Sequence, residues 1–493
     1  MIPAINIDIA SLNIFTLVPM LVAIAGALTI LVIDLASKTV DKSLYVILTV
    51  VFLLIDFGVV AGSNVNNPRG MFDVMLVDGI AVVAQMIIIL ASALFIFLAL
   101  SQQKFHEYRY PEYFALFLFM IAGFQFMVSS DNLIQIFVGL ETASLALYTL
   151  IAMHNRDKSF EAAVKYFTMG ALAAGFFAFG SMIFYALTGS VELHIIASEL
   201  TMAGFEPYPV VLVGVAFILA ALAFKLSLVP FHIWAPDVYD GSSSALAGYM
   251  SIVPKIAGFV VALRFFEMFV ASHNMWVYYV LYTMVVITIT IPNMIALLQT
   301  DVKRMLAYSS VSHAGFVMAT ILIGTSQATS AMFLYWMLFA FTNLGSFSML
   351  WIFREKKRHA KDHPFEKFSG LIKISPFSAM IMGLFMLSLA GVPPFSLFWG
   401  KMFIISTAVN ADELGLAVIM ALNSAVAAYY YLKLIVFMFL KDPIKESSIS
   451  FVGNSNNTLR TVIGISALIT ITSMAFIDPL LDMINYYVAV SGY

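Results

Sequence analysis

The chain has 493 residues, of which 62% are hydrophobic and 11% charged, with a net charge of −3 and a mean hydropathy of +0.96. A soluble domain is about half apolar and about a quarter charged, so this composition is that of a membrane protein and excludes a water-soluble enzyme. Cysteine is absent, which excludes disulfides, thiolate catalysis and cysteine-ligated metal or iron–sulfur centres. The eight histidines form no HExxH pair and most lie beside charged loops, so neither haem nor a metal is expected. Asp8 precedes the first apolar run and no basic region does, which argues against a cleaved signal peptide.

Apolar runs of about 20 residues, the length needed to cross a bilayer as a helix, fall at 14–35, 44–62, 79–100, 112–129, 132–153, 161–187 and 209–230. They continue at 244–268, 276–298, 304–324, 329–353, 374–408, 415–440 and 459–483. The pattern predicts an all-α polytopic membrane protein of about 14 transmembrane helices. The run 374–408 is long and broken, with two spans as the alternative, and 190–205 reads as a short helix lying at the interface.

Basic residues alternate from loop to loop. Lys38 and Lys42, Lys104 and Arg109, Arg156 and Lys158, Lys303 and Arg304, the stretch Arg354 to Lys373, and Lys441, Lys445 and Arg460 share one set of loops. Arg69 is in the other set, with Arg264 near it; otherwise those loops are acidic or neutral. The positive-inside rule then places both termini outside the cytoplasm. The segment 232–243 is assigned inside although it carries Asp237 and Asp240. The basic stretch from Arg354 reads as an ordinary inside loop.

The ionisable residues left inside spans are mainly Asp56, Glu141, Lys165, Lys225, Lys255, Lys401 and Lys433. Facing lipid, each costs a few kcal/mol or more, so they are expected to face protein or water and to mark a path for an ion. Lys225 stands in Ala221 to Asp240, where an apolar helix meets the lysine and then Pro230, whose ring frees backbone carbonyls that lipid cannot satisfy. Glu141 sits about ten residues into its span, near half depth, beside Gly139 and Ser144; Lys225 is its leading partner, either in a static pair or in one that alternates between pairing and release. Lys255 directly follows Pro254 in the next span, and two lysines one helix apart suit a proton relay. Lys165 is close to the inner edge and is either an entry point or a side chain snorkelling to headgroups.

Asp301 reads as a helix cap. His313, roughly ten residues into its span and following Ser309, Ser310 and Ser312, which lie two turns beyond Lys303 and Arg304, has a reference pKa that suits a relay, with a neutral serine-bonded histidine as the structural alternative. Asn343, near Ser346 and Ser348, is a lesser candidate for the same seam. Lys401 follows a break at Gly391, Pro393 and Pro394. Leu226-Ser227-Leu228 before Pro230-Phe231 is echoed by Leu387-Ser388-Leu389 before Pro394-Phe395, each with a lysine near the break. Five spans separate the two breaks, and an odd spacing inverts the second unit relative to the first.

Three stretches carry a family resemblance: Pro230-Phe231-His232-Ile233-Trp234-Ala235-Pro236-Asp237-Val238-Tyr239, Asp301-Val302-Lys303-Arg304-Met305-Leu306-Ala307-Tyr308-Ser309-Ser310, and Leu387 through Lys401. In these the chain resembles the antiporter-like membrane subunits of respiratory complex I, the proton-pumping NADH-quinone oxidoreductase. That family is in turn similar to the large subunits of multisubunit sodium/proton antiporters. Asp237-Val238-Tyr239 and a lysine rather than a glutamate at 401 set the chain apart from member M, and its length argues against member L with its long C-terminal helix. The turn Asp240-Gly241-Ser242-Ser243-Ser244 and the run after Pro394 depart from the family's small-residue patterns, which puts the local geometry there in question.

The resemblance implies two inverted five-helix repeats, each with a broken helix. The domains are then 1–108, a three-helix segment; 109–272, spans four to eight; 273–440, spans nine to thirteen; and 441–493, a last span. It implies Glu141 as the essential glutamate, Lys225 and Lys401 as the lysines of the two broken helices, Lys255 as the central relay lysine and His313 as a central polar residue. It also implies a bacterial inner-membrane location with both termini periplasmic, and membrane partners M, K, J, A and H. The expected route runs from Lys165 or the first break through Lys225, Lys255 and His313 to Lys401, completed by internal water. No cofactor is expected in this chain and no nucleic acid is bound; no glycine-rich nucleotide loop follows a strand. The alternatives are the large subunit of a cation/proton antiporter and a non-pumping membrane scaffold of a quinone enzyme.

Overall fold

The computed structural model describes residues 12–37, 41–66, 68–100, 107–352, 363–443 and 457–492. Asp8, Lys38, Lys104, Lys445 and the basic residues Arg354, Lys356, Lys357, Arg358 and Lys361, used above to orient the chain, lie outside them. In chain order the helices are α1 (Val18–Ala36), α2 (Lys42–Ala61), α3 (Gly79–Phe97), α4 (Pro111–Val128), α5 (Leu133–Ala152), α6 (Asp157–Thr188) and α7 (Leu193–Met202). There follow α8 (Tyr208–Leu226), α9 (Trp234–Gly241), α10 (Ser244–Met250), α11 (Val253–Ala271), α12 (Met275–Leu298), α13 (Val302–Ile323) and α14 (Ser326–Ile352). The last are α15 (Leu371–Ile374), α16 (Pro376–Ala390), α17 (Ser396–Asn410), α18 (Leu414–Leu440), α19 (Asn457–Thr472) and α20 (Ile477–Val490). Among the described residues, 13 helical runs are long and apolar enough to cross a membrane. The run expected at 374–408 is two helices of 15 residues each, α16 and α17. The last span extends beyond its expected end, with α19 and α20 together reaching Val490.

The ends of these helices are set by local chemistry. Asp78, Asn132, Ser243, Asn274 and Asp301 each accept a backbone N–H from the first turn of the helix they precede, the role of a short polar side chain at an N-cap. Proline occupies the first turn of α1, α4, α8, α11 and α16, where its missing N–H costs nothing. Gly189, Gly324 and Gly391 close α6, α13 and α16 in the left-handed conformation that favours glycine.

Burial orders the bundle from the inside out. The most apolar window of 244–271 is wholly buried and those of 302–323 and 326–351 nearly so, while the corresponding windows of α2 and α18 bury only 33% and 39% of their residues. Leucines such as Leu35, Leu54, Leu172 and Leu440 project from the outer helices, as a lipid-facing surface requires. The centre is therefore α11, α13 and α14, the helices that hold Lys255, His313 and Asn343. Close approach of α4 and α5 depends on Gly123 and Gly139: a Cβ on Gly139 would come 2.7 Å from the Gly123 carbonyl oxygen.

Between α2 and α3 the chain makes a small hairpin, β1 (Arg69–Gly70) with β2 (Met75–Leu76), Arg69 opposite Leu76. Arg69 donates to both carboxylate oxygens of Asp131, at 3.3 and 2.8 Å, and His194 of α7 shares Asp131 Oδ2 at 2.8 Å. The N–H of Leu76 donates to the Ser129 carbonyl at 2.8 Å. The first and last described segments meet here, since Asn13 donates to the Arg69 carbonyl and the Ser491 hydroxyl accepts the N–H of Ile80. Burial pushes the Asp131 carboxyl up, but Arg69 and, behind it, His194 pull it down by more, so it lies below its ordinary value. A carboxyl depressed by folding contributes stability that is fully present above its unfolded pKa and is lost as pH falls through the folded one. Protection of the Leu76 amide from hydrogen exchange, corrected for the intrinsic pH effect, is therefore expected to persist into mild acid. In Arg69→Ala it is expected to fail at a higher pH; identical profiles would refute the role assigned to this pair.

Candidate functional site

Two helix breaks and one kink organise the buried charges. At the first break α8 ends with Lys225 in its last turn and Ser227 in the left-handed conformation. The carbonyls freed there are taken up inside the protein. The Trp234 indole donates to the Phe224 carbonyl at 2.9 Å, and the N–H of Leu228 donates to the Ala223 carbonyl at 2.8 Å. The N–H of Val229 finds Thr288 Oγ1 on α12 at 3.0 Å. Stacking of Trp234 on Tyr166, with centroids 4.4 Å apart, holds the indole in place. Lys225 is 3% exposed, and its ammonium donates to Ser144 Oγ on α5 at 2.8 Å.

Glu141 lies one turn before Ser144 on α5 and is electrostatically coupled to Lys225, but the two make no ion pair within 4 Å: the ammonium rests on the serine. The carboxylate atom Oε1 is buried and has no hydrogen-bond partner.

At the second break α16 ends at Ala390, Gly391 has φ +85°, and α17 restarts at Ser396. Lys401, on α17, reaches back and donates to the Leu389 and Ala390 carbonyls at 2.9 and 3.2 Å. An ammonium there meets the partial negative charge of the helix end as well as its unpaired carbonyls. A Cβ on Gly391 would lie 3.0 Å from Lys401 Cδ. Ser388, Ser396, Thr342 and Thr470 share hydroxyl hydrogen bonds across the break. Both breaks thus set a lysine at the C-terminal end of a half-helix, from within it at Lys225 and from the following helix at Lys401.

Between the breaks lies a hydrogen-bonded cluster in the most buried helices. Lys255, in the first turn of α11 and 1% exposed, donates to the Ser310 carbonyl at 2.6 Å and to its hydroxyl at 2.8 Å. The neighbouring Ser309 hydroxyl bonds the Tyr431 hydroxyl at 2.6 Å, which also meets His313 Nε2 at 3.0 Å. The other ring nitrogen, Nδ1, bonds the Tyr335 hydroxyl. His313 lies within Coulombic range of both Lys255 and Lys401. The α10–α11 kink at Ser251–Ile252 is pinned by Asn343, whose amide donates to Ser251 Oγ.

The remaining expected positions lie elsewhere. The Lys165 side chain is 44% exposed and pairs with Glu161 at 2.7 Å and Asp237 at 3.3 Å. Lys433 is half-buried, donating weakly to the Gln299 carbonyl at 3.4 Å and lying 4.6 Å over the Phe365 ring. Asp301 caps α13 and also accepts the N–H of His363. Asp237, in the segment where an acidic pair interrupted the charge pattern, meets Arg304 at 3.1 Å. Tyr335 and Tyr431 were not singled out from sequence, and Ser144 was noted only as a small residue beside Glu141.

A family model described as NADH:quinone oxidoreductase/Mrp antiporter, TM, matches residues 130–428, a range that contains Glu141, Lys165, Lys225, Lys255, His313 and Lys401. NADH-quinone oxidoreductase subunit N of Sulfurimonas denitrificans is 62% identical over 503 aligned positions covering 100% of both chains. The chain belongs to the subunit N family of antiporter-like membrane subunits. Subunit N of a Sulfurovum species is 57% identical, again over 100% of both chains. Among solved structures, a chain in respiratory complex I from Thermus thermophilus with bound aureothin has a TM-score of 0.77 at 27% identity, covering 94% of this chain and 98% of that one. A chain in the Mrp complex of a Dietzia species shares the fold, with a TM-score of 0.81 at 20% identity over 96% and 97%. As a family member this chain is a multi-pass protein of the bacterial inner membrane, and its matched segment begins after α4 and stops short of Tyr431.

Trp234→Phe keeps an aromatic ring against Tyr166 but leaves the Phe224 carbonyl unpaired beside Lys225, at an expected cost of about 1–3 kcal/mol. A lower thermal midpoint of the purified complex would register it. An unchanged midpoint would show that something else satisfies that carbonyl.

Proposed function

We propose that this chain carries protons across the membrane along Glu141, Lys225, Lys255, His313 and Lys401, as a membrane subunit of an NADH-quinone oxidoreductase. Its place in the subunit N family makes it such a subunit. The observation that carries the route is a pair of hydrogen-bonded segments in the core of the bundle, Lys255 on Ser310 and the adjacent Ser309 on Tyr431, His313 and Tyr335. Hydroxyl and imidazole groups in series donate and accept in turn, as a proton relay needs, and internal water bridges the longer gaps.

Each end of the route has a buried lysine, and at one end its partner can change. Lys225 rests on Ser144, one helical turn from Glu141, so a small movement exchanges a neutral hydroxyl for a carboxylate on the same face of α5. That exchange is the switch in this reading: an ammonium paired with Glu141 holds its proton, and one left on Ser144 releases it toward Lys255. Lys401 ends the path against carbonyls that favour its charged form. Lys165, with Asp237 and Glu161, serves as a surface antenna at the basic end.

Two inverted units, spans four to eight in 109–272 and spans nine to thirteen in 273–440, with α16 and α17 counted as one crossing in a total of fourteen, account for the paired breaks. Residues 1–108 and 441–493 flank them. The positive-inside pattern supports periplasmic termini, and the chain is read as packing beside subunit M and the smaller subunits K, J, A and H. Electron transfer belongs to other subunits, and no redox centre is assigned here.

Lys225→Ala, Glu141→Ala and Lys401→Ala are each expected to abolish most proton pumping by the assembled complex reconstituted in vesicles. Full pumping in all three would rule the route out. Tyr431→Phe removes two bonds of the central cluster while keeping the ring, and a several-fold loss of pumping is expected; unaltered flux would mean that protons pass His313 by another way. Copurification with small antiporter subunits, in place of peripheral iron–sulfur subunits, would favour the antiporter reading.

A further inference from the structure

Outside the lysine axis, the buried carboxylate of Asp56 has no cation within ion-pair distance among the described residues. Asp56, on α2, is 0% exposed, as are Gln85 on α3, Gln125 on α4 and Ser129 just beyond it. The Gln125 amide donates to Asp56 Oδ2 at 2.8 Å and to Gln85 Oε1 at 3.3 Å. The Gln85 amide donates onward to Ser129 Oγ at 2.8 Å. Two oxygens in this chain, Asp56 Oδ1 and Gln125 Oε1, are buried with no hydrogen-bond partner among the described residues, and both are acceptors.

The charged and titratable groups on the surrounding elements are distant. Helix α2 packs on α1, α3, α4 and the turn after α3. Helix α1 offers Asp34, bonded to Tyr45 of α2 itself, and α4 offers Glu112 and Tyr113 in its first turn; Lys42 starts α2. All of these belong to the opposite end, with Tyr45 about 16 Å from Asp56 along α2 at 1.5 Å per residue. Helix α3 itself has no charged side chain, and Asp78 at its start is engaged by Arg264 at 2.7 Å. An ionised carboxylate with no counter-charge in an apolar interior is so costly that such groups neutralise.

We propose that Asp56 is a proton-binding site separate from the lysine axis, and that Gln125, Gln85 and Ser129 transmit its occupancy to the outermost turn of α4. One proton removes the buried charge and turns an acceptor into a donor. A primary amide interchanges its donor and acceptor by a half-turn with almost the same footprint. With both amides turned, Asp56 donates to Gln125 Oε1, Gln85 Nε2 donates to the same oxygen, and the Ser129 hydroxyl donates to Gln85 Oε1. The whole chain reverses its sense without any helix moving. Its far end adjoins a cavity of about 770 Å³ whose lining includes Arg69, Leu76, Asp131 and His194, and Leu76 is bonded to the Ser129 carbonyl. The site therefore reads as a proton store whose filling is felt at the cavity wall.

Infrared spectroscopy of the purified complex tests this. The wild type is expected to show a protonated-carboxyl C=O band near neutral pH, shifted by exchange into heavy water, that is missing in Asp56→Asn. An asparagine can donate to Gln125 as the protonated acid would, so this variant is expected to assemble. In Gln125→Leu, which keeps Asp56, the band is expected to move to higher frequency as its carboxyl loses a partner; in Ser129→Ala it should shift less. Identical carboxyl regions in wild type and Asp56→Asn would overturn the proposal. Should Asp56→Asn not assemble, an unmoved band in Gln125→Leu would overturn it equally.

Discussion

A bilayer offers no water to a broken helix, and that constraint governs this molecule. Each interruption of a span frees backbone groups that must be satisfied by the protein itself. At the first break an indole, a backbone amide and a threonine from another helix do this; at the second, the ammonium of Lys401 does. The repairs fix where the charged groups can stand. Lys225 is held at its depth because Trp234 closes the helix end around it, and Lys401 is held because it is itself the closure.

Much of this was legible in the chain because membranes make polar residues conspicuous. Lysines beside Pro230 and Pro254, and another after Gly391 and Pro393, are too costly in an apolar run to be incidental, and the structure does place Lys225, Lys255 and Lys401 inside. Asp301 was readable as a cap from its position alone. Tyrosines are different. In a hydrophobic span Tyr335 and Tyr431 read equally well as packing or interface residues, and only the rotation of α14 and α18 aims both hydroxyls at His313. Ser144 was noted for its size rather than its hydroxyl, which proves to hold Lys225. The expected Glu141 pairing failed to anticipate it because an ammonium has more than one oxygen within reach. The kink before Lys255, in a run read from sequence as one continuous span, lies at Ser251–Ile252, where Asn343 from another helix holds it.

The acidic pair Asp237 and Asp240, awkward for the charge pattern, makes sense as a joint. Arg304 at the start of α13 meets both, at 3.1 and 3.7 Å, and Lys303 donates to the Asp240 and Ser242 carbonyls at 2.9 and 2.6 Å. The segment after the first break is thereby clamped to the helix that carries His313. Lys165 joins the same cluster from α6, where its partly exposed side chain is paired on both sides.

The hydroxyl cluster at the second break has a wider reach than its size suggests. Thr342 bonds Ser388 before the gap, Ser396 after it and Thr470 on the last span. Four side chains from four helices share protons across one point, so the gap cannot widen by itself. A displacement of α17 would pull on α14 and tug α19 with it, carrying a small internal rearrangement out to the rim of the subunit.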